Sequence, residues 1–369
     1  TSPPLLQFLL AMSSKTATCP HLPAGASEED ARAGLVPTLL QCLDKDGTLE
    51  DPAHGGGSFA SMAPSPIAAE LWAPSQRLEL MRRSFKLLTN LAVAYPRSVC
   101  GHPALGPLVS GYLEPDTPPE LRDAAIHMLV AALPASVSLQ TSCGESGAVS
   151  LLNELVCAVS YASGPSSVAP FSTTCVATTA GLRVPSGLSA ASMQAAVLGL
   201  ALLAHDHRDN QQRFGECGGV SGVLPLVKAR TDGALLHSVI ECLWSAVVPD
   251  PANVRRLVER DGVLYLLDVL EGAPFAPRAH LLSCLADLIG NSADALAQCK
   301  EWHGKSRQST VQLCLALWAE ETARRGSAVG NGLLTSAQRP LTTYAAGAYQ
   351  DLNATTVIDD EDGAGDGAG

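Results

Sequence analysis

Between Asn210 and Asn291 the chain says nearly the same thing twice, and few folds can be written in this way. Residues 210–227 read NQQRFGECGGVSGVLPLV and residues 253–270 read NVRRLVERDGVLYLLDVL. At an offset of 43, Asn210 falls on Asn253, Arg213 on Arg256, Gly219 on Gly262 and Val227 on Leu270. Each copy predicts a short helix with polar flanks, a Gly break and a short apolar helix. A longer helix follows each, LHSVIECLWSAVV from Leu236 and HLLSCLADLIGNS from His280, where one deleted residue reduces the offset to 42. A unit of this kind cannot bury its apolar face alone, so neighbouring copies must stack, and the chain is expected to be a helical solenoid.

Self-similarity at roughly 40 to 47 residues built from two or three helices is the signature of armadillo and HEAT arrays. The same organisation extends upstream. Gly residues open a short apolar helix at Gly34, Gly106, Gly147, Gly219 and Gly262, at intervals of 72, 41, 72 and 43. The two long intervals each contain a stretch rich in Gly, Pro, Ser, Ala or Thr, so removing an insertion loop restores the repeat length. The fold class expected is all-α, an armadillo/HEAT-like solenoid of about five repeats with a C-terminal capping helix. Residues 1–25 read as the end of a preceding repeat plus a connection, and the chain as a piece of a longer array. Repeats occupy residues 26–299, with insertion loops at 44–75 and 163–188. A capping helix covers 300–326, with Val311, Cys314, Leu315 and Trp318 as its apolar stripe. Residues 327–369 form an irregular docking segment and an acidic tail whose composition reads as disordered.

The long helices from Gln76, Glu120, Ala191, Ala234 and Pro277 are expected to line one groove. The first shows the pattern most clearly, with Leu78, Met81, Phe85, Leu88 and Ala92 at steps of 3 and 4 and Arg77, Arg82, Arg83 and Lys86 on other faces. The Gly at each break is expected to serve a sharp turn, where a residue tolerant of positive φ is favoured.

Composition narrows the function classes. Aromatic residues make up only 4% of 369, so the core must be closely packed Leu, Val and Ala. The formal charge is -12, which argues against nucleic acid as a partner. No apolar run approaches the length of a membrane span, so no membrane partner is expected. Eleven cysteines at irregular spacing, without a CxxC pair, read as reduced core thiols.

Candidate chemistry is thin. Gly304-Lys305-Ser306 imitates the end of a phosphate loop, but Cys299 stands where the loop needs Gly. His205-Asp206-His207 offers two imidazoles and a carboxylate with no further ligand at sensible spacing. Gly219-Val220-Ser221-Gly222 is one residue short of a nucleophile elbow and has no strand before it. Asn353-Ala354-Thr355 fits a glycosylation sequon without a secretory context. No catalytic residue, metal site or cofactor is expected. Trp244 and Trp318 lie in apolar helical phase and read as core. Trp302, beside Lys300, Lys305 and Arg307, reads as a contact surface, and Tyr344 and Tyr349 as residues able to pin the last segment to a neighbour.

Two resemblances carry function. The stretch LLTNLAVAYP from Leu87 resembles the third helix of an armadillo repeat, with Asn90 at the position where nuclear-import receptors hold the backbone of an extended peptide. The equivalents here are Leu202, Ser245 and Asp287, so one rung stands without a ladder. The run LLHSVIECLWSAVVPDPANVRRLVERDGVLYLLDVLEGAP, then CKEWHGKSRQSTVQLCLALWAEE, then QRPLTTY from Gln338 resembles the C-terminal part of the cilia- and flagella-associated protein 69 family, over roughly residues 210–344. The shared features are Trp302 and Gly304, a basic link, Leu317, Trp318, Glu320 and Glu321, then Arg339, Pro340 and Leu341. That resemblance implies a non-catalytic scaffold in the central apparatus of motile cilia and flagella, within a large complex of other axonemal proteins, with microtubule contact indirect. Trp302, Arg307, Arg339, Tyr344, Tyr349 and Asn90 are the partner-binding candidates. The alternative is a soluble armadillo adaptor that binds an extended peptide in signalling or nuclear transport.

Overall fold

The computed structural model describes residues 36–44, 74–162, 175–177, 183–185, 189–228, 233–273, 275–325, 329–330 and 333–334. The chain divides into two compact units, Thr1–Thr310 and Val311–Gly369.

The first unit is an armadillo-like solenoid of three-helix repeats. Helix α1 (Val36–Leu43) is the second helix of the first repeat and α2 (Pro74–Ala94) its third. The second repeat is α3 (Pro96–Cys100), α4 (Leu105–Gly111) and α5 (Pro119–Ala132). The third is α6 (Val137–Glu145), α7 (Ala148–Ala162) and α8 (Ala190–Ala204). Between α7 and α8 a short antiparallel pair, β1 (Cys175–Ala177) with β2 (Arg183–Pro185), lies inside the stretch expected to be an insertion loop. The fourth repeat is α9 (Arg208–Glu216), α10 (Gly219–Lys228) and α11 (Gly233–Ala246), and the fifth α12 (Pro251–Val258), α13 (Gly262–Gly272) and α14 (Phe275–Asn291).

Each row of equivalent helices packs on its successor. Third helices α2, α5, α8, α11 and α14 form one continuous row, as their expected groove role requires. First helices α6, α9 and α12 form another, and second helices α7, α10 and α13 a third. Among the described residues the core between rows is aliphatic, with Phe85, Tyr112 and Phe214 the aromatics among the largest fully buried side chains. Phe85 meets Tyr112 edge to face at 4.9 Å, and the Tyr112 hydroxyl donates to the Leu43 carbonyl, tying α1 to α4.

The first-helix row runs one member further than the periodicity predicts. Helix α15 (Ala293–Glu301) packs on α12 as α12 packs on α9. The same device starts each member of the row. Ser136 caps α6, His207 caps α9, Asp250 caps α12 and Ser292 caps α15, each accepting from a backbone N–H two or three residues on. His207 therefore belongs to a helix start, with its other ring nitrogen 2.8 Å from Thr141 Oγ1, and is 9% exposed.

The glycine register also needs correction. The positive φ falls at Gly147 (84°), Gly218 (80°) and Asp261 (57°), the last two one residue before the helix-opening Gly219 and Gly262. Gly147 thus aligns with Gly218, not Gly219. Gly219 and Gly262 serve a different need, since a Cβ there would overlap the Phe214 ring or the Leu257 side chain folded beneath the break.

In the second unit, α16 (Thr310–Arg325) is followed by a two-residue pairing of β3 (Val329–Gly330) with β4 (Leu333–Leu334). The apolar stripe expected to be covered is not. Val311 is 68% exposed, Leu315 62% and Trp318 43%, while Leu313 is the buried residue of this helix. Gly34, Arg339, Tyr344, Tyr349 and the acidic tail lie outside the described residues.

Candidate functional site

What joins the repeats is a buried Asn–Arg clamp that occurs twice. Asn253 Nδ2 donates to the Gln211 carbonyl at 2.7 Å and the Ala246 carbonyl at 2.9 Å, and its Oδ1 accepts from Arg256 at 2.6 Å. Asn210, one repeat earlier, donates to the Gln140 and Leu203 carbonyls at 3.0 and 2.8 Å and accepts from Arg213 at 2.8 Å. Leu203 and Ala246 lie in the last turns of third helices, whose carbonyls have no partner within their own helix. Gln140 and Gln211 add bonds to the ends of third helices, to Leu202 at 2.7 Å and Ala204 at 2.9 Å. This repeated polar stitching is why Asn210, Arg213, Asn253 and Arg256 stand out in the sequence repeat, and its role is architectural.

The third-helix row carries two surfaces of different chemistry. Between α2 and α5 lies a cleft of about 330 Å³ lined by Arg82, Arg83, Lys86, Thr89, Asn90, Ala124 and His127. Glu79 braces it from one turn below, meeting Arg82 Nε at 2.9 Å and Arg83 Nε at 2.5 Å. The hydrogen bond from Arg82 leads the effects that hold the Glu79 carboxyl down at about 2, with Arg83 adding to it. Asn90, the armadillo-like position, is thus placed among bases.

Three repeats on, α11 and α14 present the opposite chemistry. The His237 and His280 rings stack at 4.4 Å, Trp244 meets His280 edge-on at 5.1 Å, and Glu241 lies 2.9 Å from His280 Nε2. Trp244 Nε1 donates to Asp287 at 2.8 Å, so this tryptophan is half-buried at the surface of the row and not core. Burial pushes the His237 imidazole below its ordinary value, and the neighbouring His280 charge adds to that. Burial alone raises Glu241, yet the hydrogen bond and charge of His280, with His237 and His205, outweigh it and hold the carboxyl below the usual range. This cluster escapes sequence reading because its members are on two helices, about 40 residues apart.

The loop after α15 was expected to offer Trp302 as a contact surface. The structure corrects this. Trp302 is 4% exposed and its Nε1 donates to Asp268 of α13 at 2.8 Å. Glu271, one turn along α13, accepts from the Lys305 backbone at 2.9 Å and from Gln308 Nε2 at 3.2 Å. The turn closes on itself through Gly304 N–H to the Gln308 carbonyl at 2.9 Å. Trp302 is a pin, and what it presents is the exposed tip Lys305, Ser306 and Arg307, with Arg307 at φ 59°.

Among the described residues, no group of three His, Cys, Asp or Glu has the arrangement to hold a metal ion. No helix of the described residues is long and apolar enough to cross a membrane. Nine cysteines among the described residues are free thiols, and burial pushes Cys42 and Cys100 up to about 11 and Cys143 to about 12.

Comparison with known proteins returns the same family as the residue patterns. Residues 227–357 match the model of the armadillo repeat of cilia- and flagella-associated protein 69. The chain is 27% identical over 155 residues to cilia- and flagella-associated protein 69 of Papio anubis, a stretch that is 39% of this chain and spans only 16% of that protein's length. Similar solved structures include an engineered protein (TM-score 0.48, 13% identity, 78% of this chain and 97% of that one). Another is a computationally designed armadillo repeat protein for modular peptide recognition (TM-score 0.46, 14% identity, 77% of this chain and 99% of that one).

Proposed function

We propose, from that family match, that this chain is a non-catalytic scaffold of the ciliary or flagellar axoneme, seated on a projection of the central apparatus and involved in motility. The observation that carries the reading is the match over residues 227–357, which takes in the fifth repeat, the pinned Trp302–Gln308 loop and α16. An armadillo solenoid is a protein-interaction fold, and the buried Asn210 and Asn253 side chains here are engaged in holding repeats together. The titratable cluster on α11 and α14 is likewise engaged, in the His280–Glu241 pair and the Trp244–Asp287 bond.

In this reading the partners are other central-apparatus proteins in a large complex, with microtubule contact indirect. Lys305 and Arg307, held outward by the Trp302 pin, are one docking edge, and Arg339, Tyr344 and Tyr349 are further partner-contact candidates. The stripe Val311, Leu315 and Trp318, exposed in this chain alone, is then a face met by a neighbour in the assembly.

The test is fractionation of tagged full-length protein from ciliated cells, comparing demembranated wild-type axonemes with axonemes lacking the central pair. Retention in the first and loss in the second is expected. Recovery in detergent-soluble cytoplasm or nuclei would overturn the axonemal reading and favour a soluble armadillo adaptor.

A further inference from the structure

We propose that the cleft between α2 and α5 is a docking site for an acidic segment of a partner protein, an extended stretch of Asp and Glu side chains. This rests on the scaffold reading and adds the chemistry of one partner surface to it.

Five of the residues around the cleft donate: Arg82, Arg83, Lys86, Asn90 and His127. No carboxylate is among the described residues that line it. Glu79 sits at its edge and neutralises one of three permanent cations, while fixing the direction of both arginines through contacts of 2.9 and 2.5 Å. A guanidinium held at one edge by a carboxylate keeps its planar fork geometry, which suits a second carboxylate in a paired contact. Thr89 spends its hydroxyl on the Phe85 carbonyl at 2.8 Å. Asn90 is therefore the neutral group of the site, able to donate to and accept from a peptide backbone.

Charge decides between anionic occupants. The chain carries -12 overall, so a long polyanion such as nucleic acid that reached the cleft would lie along a repelling surface. A short acidic peptide meets only the local positive field. The same helix row ends in Glu241 and Asp287 on α11 and α14, which confines an acidic segment to the α2–α5 end.

The experiment is fluorescence anisotropy of a labelled Glu-rich peptide against the purified 369-residue chain, at low and near-physiological salt. Saturable binding that weakens with salt is expected, with no binding of a Lys-rich peptide of equal length. Arg83→Glu/Lys86→Glu weakens binding about tenfold or more. Lys86→Glu/His127→Glu does the same from two exposed positions, with an unchanged melting curve as the check on folding. Arg255→Glu, exposed on α12, leaves binding unchanged. Equal affinity in the reversed-charge variants would overturn the proposal. So would tighter binding of a single-stranded oligonucleotide than of the Glu-rich peptide through the same residues. Either result is independent of axonemal retention, which tests the parent reading separately.

Discussion

Asn253 of the fifth repeat occupies the space that a side chain on Gly215 of the fourth would need, and the same is true of Asn210 and Gly144 one repeat earlier. Where the Asn is absent the Gly is absent too. Ala295 takes the Asn position on α15, and Val258 the Gly position on α12. Gly and Asn are thus one inter-repeat joint written at two places in the chain.

Asn253→Ala leaves the Ala246 carbonyl, at a helix end, without its donor and removes the inter-repeat bond to the Gln211 carbonyl. It is expected to cost about 1 to 3 kcal/mol by urea denaturation, the cost of an orphaned buried group. Gly215→Ala alone overpacks the joint and costs about 1–3 kcal/mol. The double variant should cost clearly less than the two added, because truncating the asparagine vacates the space the new methyl needs. Simple additivity would show that the two positions do not share it.

The Trp302 pin and the tip it presents should separate in their effects. Trp302→Ala removes a buried indole and its bond to Asp268, with an expected loss of about 3–5 kcal/mol in a thermal or urea melt. Arg307→Ala, at an exposed position, should leave stability within about 0.5 kcal/mol while weakening partner capture. Arg307→Gly should stabilise by up to about 1 kcal/mol. The reason is its φ of 59°, which glycine adopts without a Cβ penalty.

Acid should weaken the α11–α14 junction. Burial lowers His237 from its ordinary 6.5, so just below that pH the unfolded chain binds a proton the folded chain refuses. Glu241 is held low in the folded state, and its contribution, present above the unfolded value of 4.5, is lost as pH falls through the folded one. Both push the same way, so the urea midpoint should fall between about pH 7 and about pH 5 through His237 and further below about pH 5 through Glu241. His237→Gln should flatten the upper part of that slope, and an unchanged slope would place the proton uptake elsewhere.

The exposed stripe of α16 makes a negative prediction for stability. Leu315→Ser and Trp318→Ser should each shift the melt by no more than about 0.5 kcal/mol, because surface positions without packed neighbours carry little of the folding energy. Both side chains are exposed in this chain. A large loss would show that the stripe is covered in solution.

The class of fold was legible along the chain, because the spacing of 43 and the apolar periodicity of helices such as α2 follow from local rules that each repeat obeys alone. Asn90 could be placed on a third helix for the same reason. Helix α15 could not be recognised as a further first helix, since Ala295 replaces the Asn that marks α9 and α12, and only stacking on α12 identifies it. Nor does any local pattern show that Trp302 faces Asp268, or that Arg83 and His127 share a cleft while His237 and His280 share a stack. Those relationships join residues about 35 to 45 positions apart, and they exist only once one repeat has packed on the next. Periodicity is a property of a single helix face and can be read from residue to residue. Which face meets which is settled by the packing between repeats, and the candidate sites among the described residues of the solenoid all lie there.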